Sequence, residues 1–108
     1  MKGQTMKKII LMTMFYMLLL VATASAHTAL MSCFDEGDGT ITCEGGFSDG
    51  SSASGVKFHV AQKGQKILET KMNEYSEVNF KKPEGDYQAV FDAGEGHQVI
   101  VDGNDIVE

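Results

Sequence analysis

The chain has 108 residues, with nine lysines, no arginine and 15 acids, for a formal net charge of −6. Every acid follows residue 26 and three of the lysines precede it, so residues 27–108 hold six lysines and a net charge of −9. So few cations cannot neutralise a phosphate backbone, which excludes nucleic-acid binding. An acidic shell instead favours solubility and raises the local concentration of cations.

The first segment, MKGQTMKK, is basic. The apolar run IILMTMFYMLLLVATA and the small residues Ala24-Ser25-Ala26 follow it. A basic start, an apolar stretch and a small-x-small site read as a helical secretory signal peptide, 1–26, cleaved after Ala26. The run falls short of the roughly 20 residues that a spanning helix needs. No stable membrane insertion is therefore expected after processing, and the mature chain is expected to be periplasmic or secreted. Lipidation at Cys33, which ends LMSC, is the alternative, but His27 and Thr28 interrupt the apolar run before it. Cleavage leaves 82 residues, 27–108, enough for one small domain with a modest core.

Along that domain the pattern is strand. Thr28–Phe34 is a mixed apolar run, and Thr40–Phe47 alternates before breaking on Gly45-Gly46. Between them, CFDEGDGTITC places Cys33 and Cys43 equally far from Asp38. A turn centred there sets the two cysteines opposite each other, where a cross-strand disulfide fits an exported chain. Two thiolates on a metal are the other reading. Ser48–Gly55 is a loop by composition. Val56, Phe58 and Val60 then share one face of a strand, with Lys57 and a solvated His59 on the other. KGQ turns the chain into KILET. Glu77–Phe80, Tyr87–Phe91 and His97–Gly103 complete the series, with a Lys81–Gly85 turn between the first two of these. Seven short strands about ten residues apart predict an all-β, single seven-stranded antiparallel sandwich.

Strand parity carries this pattern toward function. If consecutive strands alternate in direction, the start of the first strand lies at one end of the sandwich. The 48–55 loop and the FDAGEGH turn lie at that end too. That gathers His27, Asp49, Asp92, Glu95 and His97, and sends the cysteine hairpin to the opposite end. Cleavage would give His27 a free α-amine beside its imidazole, two nitrogens that chelate one ion. Nitrogen donors suit nickel, cobalt, copper or zinc over calcium. Both bind only when unprotonated, so affinity should fall in mild acid. His97 follows Gly94-Glu95-Gly96, whose glycines permit a tight turn. His27 and His97, with Asp92 or Glu95 as an oxygen donor, form the expected metal site.

Other chemistry finds no support. DEGDGTITCE lacks the acid spacing of a calcium loop. Ser51, Ser52 and Ser54 stand in no nucleophile signature. Glu36 and Asp38 sit on a turn with no apolar pocket to shift them. No enzymatic role is expected.

The stretches HTAL, GGFSDGSSASGVKFHV, GQKILETKMNE, NFKKPEGDYQAVF and above all DAGEGH resemble a known family over nearly the whole of 27–108. It comprises the periplasmic accessory components of nickel and cobalt uptake transporters of the energy-coupling-factor type. The resemblance implies a carboxypeptidase-regulatory or transthyretin-like sandwich, a bound nickel or cobalt ion and a membrane transporter as partner. It marks His27 and His97 as metal-associated and Asp92 as the acid of the motif. Two features depart from the family. MNEYS, Met72–Ser76, lacks the glycine of the usual turn, and the two cysteines lie outside the pattern. A metal-free interaction module of the same fold and a periplasmic copper carrier are the alternative readings.

Overall fold

The computed structural model describes residues 27–108; the expected signal peptide, 1–26, lies outside the described residues. Seven strands follow in order: β1 (Ala29–Asp35), β2 (Thr40–Phe47), β3 (Lys57–Gln62), β4 (Gln65–Lys71), β5 (Glu77–Lys81), β6 (Gln88–Asp92) and β7 (Gln98–Asp102). A 3₁₀ turn, η1, spans Gly103–Asp105. The strands form two antiparallel sheets, one ordered β1-β2-β5 and the other β4-β3-β6-β7. The all-β sandwich read from the sequence is therefore present, divided three against four.

Turn chemistry sets the boundaries. Between β1 and β2, Asp35 accepts the Gly37 N–H at 2.8 Å and Asp38 accepts the Thr40 N–H at 2.9 Å. This four-residue turn fixes the register that pairs Cys33 with Cys43. The two are bridged, with Cα atoms 4.1 Å apart, and no free cysteine remains among the described residues. The thiolate–metal and lipidation readings of these residues thus lose their free sulfurs. Between β3 and β4, Lys63 and Gly64 both have positive φ, the pairing that a two-residue turn needs to match strand twist.

The core lies between the inner faces. Sheet one contributes Ile41, Cys43, Val78 and Phe80, and sheet two Phe58, Val60, Ala89 and Phe91, all buried. Tyr87, Met72, Ala53 and Ile106 close its ends. Aromatic rings tie the sheets together: Phe58 lies 5.7 Å from Phe80, and Phe47 meets Phe91 edge-on at 5.8 Å. Gly45 follows Ile41 and Cys43 on the inward face of β2, and it suits glycine because a Cβ there would stand 2.5 Å from the Phe91 ring.

Candidate functional site

Antiparallel pairing carries the start of β1, the end of β2 and the end of β6 to one end of the sandwich. The loops 48–56, 72–76 and 93–97 meet there. Ser48 clamps the entering chain: its N–H donates to the Thr28 carbonyl, and its Oγ accepts the Thr28 N–H, both at 2.9 Å. His27 is thereby held beside the 48–56 loop.

His27 Nδ1 lies 2.6 Å from Asp49 Oδ2, with the histidine side chain 63% exposed and the aspartate 27%. The other carboxylate oxygen of Asp49 accepts the Ser51 hydroxyl at 2.6 Å and the Ser51 N–H at 3.0 Å. Those bonds, the hydroxyl's first, hold the Asp49 carboxyl below the usual aspartate range, with a smaller contribution from His27. The result is a carboxylate–imidazole pair on an exposed rim. It is not the arrangement of a hydrolytic triad, because the serine hydroxyl is bonded to the carboxylate and not to the imidazole.

The 93–97 loop is a tight turn at the same end. His97 N–H donates to the Gly94 carbonyl at 2.9 Å, and Ala93 N–H to the His97 carbonyl at 3.0 Å. Gly94 and Gly96 take the positive φ that the turn requires. Asp92 serves this turn. It accepts the Gly94 N–H at 3.0 Å, and that bond, followed by one from Gln98, lowers its pKa. Between this loop and Phe47, Gly55, Val56 and Lys57 runs a groove of about 730 Å³, with Glu95 on its wall.

Of the residues singled out in the sequence, the structure joins His27 to Asp49. It places His97, Asp92 and Glu95 on the neighbouring turn and leaves His59 on the outer face of sheet two. His59 is paired across the strands with Glu69, and burial lowers its pKa. No group of three His, Cys, Asp or Glu side chains spaced to hold an ion occurs among the described residues.

Sequence reasoning missed the residues that hold the end together. Ser76 has φ of 61°, and its Oγ accepts the N–H of buried Ala53 at 2.9 Å. Asn73 caps the same loop by accepting the N–H groups of Tyr75 and Glu77. Ser76 adopts the left-handed conformation a glycine would supply, and its hydroxyl ties the 72–76 loop to 48–56. A serine at the end of a turn was the available signal.

Comparison of the chain with family models, with curated proteins and with solved structures finds no match.

Proposed function

We propose that this chain is an exported, non-enzymatic accessory protein that binds a divalent transition metal, nickel or cobalt, and assists a membrane uptake transporter. The observation that carries the reading is the His27–Asp49 pair on the loop end of the sandwich. The family resemblance of DAGEGH and of the histidine after the signal peptide stands beside it. The finer assignment of the fold as carboxypeptidase-regulatory or transthyretin-like belongs to the same proposal.

The donor set fits such an ion in part. An exposed imidazole and a carboxylate already ionised well below neutral pH are ordinary ligands for nickel, cobalt or copper. A third donor has to come from the α-amine that processing would free on His27, because the described side chains offer no cluster of three. The chelate ring of an N-terminal histidine closes through Nδ1, the atom facing Asp49. Asp49 is thus set to hold the ring in place until metal enters and then to serve as an oxygen ligand. His97, at the same end of the sandwich but outside any three-residue cluster with His27 and Asp49, would have to be drawn in by the ion to serve as the second imidazole of the proposal.

Calorimetric titration of Ni(II) into protein beginning at His27 tests this. Stoichiometric binding is expected in the parent and absent in the His27→Ala/His97→Ala double variant. Asp49→Asn is expected to weaken binding about 10–100-fold, as loss of a carboxylate beside a ligating histidine does. One extra residue ahead of His27 should weaken it sharply by removing the amine. A double variant that titrates like the parent overturns the site. Competition between Ni(II) and Cu(II) separates the copper-carrier reading.

A further inference from the structure

The two flanks of the sandwich are not alike. Along one, β1 and β7 lie in contact. Ala29, Met31, Val99 and Val101 pack on the core there, and the Asp35 N–H donates to the Val107 carbonyl at 2.9 Å. Along the other flank, β5 edges sheet one and β4 edges sheet two. Between them lies an apolar groove of about 490 Å³, with Val60 and Phe80 at its floor and Ile67 and Leu68 on its wall. Ile67 is 50% exposed and Leu68 37%.

Sheet one is one strand short of sheet two, and the deficit lies at this groove. The alternation of an antiparallel ladder settles which backbone groups face it. Gly45 N–H bonds Ser76 and Lys82 N–H bonds Gly39, so the even-numbered residues of β5 face β2. The N–H and C=O groups of Asn79 and Lys81 therefore point outward, along a free edge. An added strand there would turn alternate side chains inward, over Ile67 and Leu68.

Charge selects the kind of strand. Although residues 27–108 are strongly acidic, five of their six lysines, at 63, 66, 71, 81 and 82, lie on β4, β5 and the turns beside them. Lys81 and Lys82 line the groove, with Glu84 beside them; Lys82 pairs with Asp35, and Lys81 has no ion-pair partner among the described residues, while Lys66 and Lys71 lie on the outer face of sheet two beside His59. Lysines and a bulge guard an edge against chance pairing. That accounts for β4, where the ladder with β3 shifts register beside Val60 and Ala61. On β5 Lys81 is the one such guard: the ladder with β2 runs without a shift and the outer edge is open.

We propose that this groove accepts a strand: an extended acidic segment of a partner protein adds to the outer edge of β5. Its main chain bonds Asn79 and Lys81, its alternate apolar side chains cover Ile67 and Leu68, and its carboxylates meet Lys81 and Lys82, the two lysines that line the groove. This is recognition by β-augmentation, in which backbone bonds supply affinity and side-chain alternation supplies specificity. It is independent of the metal reading and uses none of the residues named there.

The test is titration of ¹⁵N-labelled protein, residues 27–108, with a blocked synthetic peptide alternating Asp or Glu with Val or Ile. The amide signals of Asn79 and Lys81 are expected to shift and to gain protection from exchange. The same peptide with lysine in place of its acids should not bind. The Ile67→Asp/Leu68→Asp variant, altered only at exposed positions, should bind at least about tenfold more weakly through like-charge repulsion and lost apolar cover. Lys81→Glu provides a second, milder variant with the same direction of effect. Equal binding of the acidic and lysine peptides, no response at Asn79 and Lys81, or undiminished binding by both variants overturns the proposal. So does concentration-dependent self-association that moves the same amides without peptide, since the occupant would then be a second copy of this chain.

Discussion

The β1/β7 flank and the β4/β5 flank are built from the same kind of strand, yet one is sealed and the other open. At the sealed flank the chain returns after β7 through η1 and buries Ile106. The Asp35–Val107 backbone bond holds that return in place. At the open flank β4 is exposed along all seven residues. What separates the two is a few residues of returning chain. Closure of a small sandwich is thus a local property, supplied by whichever segment happens to lie across the opening.

Matched truncations give the largest test of that contrast. Ile106→Ala should cost about 2–4 kcal/mol, the usual penalty for emptying a buried aliphatic site. Leu68→Ala should cost about 1 kcal/mol or less, because much of its surface is already in water. Urea denaturation of both variants measures the difference, and equal costs would mean the open flank is packed as tightly as the sealed one. Next in size is the bridge on β1. Cys33→Ala/Cys43→Ala should lower stability by about 2–3 kcal/mol, the chain-entropy value for a loop of this length. The loss appears as a lower urea midpoint. Ser76→Ala follows, at about 1 kcal/mol, since it leaves the buried Ala53 N–H without its acceptor. Ser76→Gly should recover part of that by relieving the positive φ.

The smallest expected effect is acid sensitivity at the turn beneath the sealed flank. Hydrogen bonding to Lys82, then to the Gly37 N–H, depresses the Asp35 pKa. A carboxyl lowered in the folded state adds stability above its unfolded pKa and loses it as pH falls through the folded value. Melting temperature should therefore drop below about pH 4, where unfolded aspartates begin to protonate. Asp35→Asn should flatten that slope, and an unchanged slope would place the acid-sensitive group elsewhere.

Much of this arrangement was legible in the sequence. The seven strands fall within a residue or two of their expected bounds because alternation and glycine-rich turns mark them. Asp38 as the turn centre gave the Cys33–Cys43 pairing, and parity gave the shared end of His27, Asp49 and His97. Two things were not legible. The first is that β4 joins β3 on the side away from β6, across the open groove from β5. KILET does not alternate, and the register shift beside Val60 sets both Ile67 and Leu68 along one groove. The second is the allocation of partners within the candidate site. Parity puts residues at one end but cannot tell that Asp92 is occupied by its own turn while Asp49 reaches His27. That choice depends on where the Ser48 clamp sets the entering chain.

The Cys33–Cys43 bridge also bears on the order of folding. It joins residues only ten apart, so it can close while the rest of the chain is still unstructured. Once closed, it leaves β1 unable to slide along β2. The slow step that remains is the search by β5 for β2 across the intervening β3–β4 hairpin, and it begins from a template whose register is already covalent. A reduced chain must find both pairings together, with a one-residue slip of β1 turning its core-facing side chains to water.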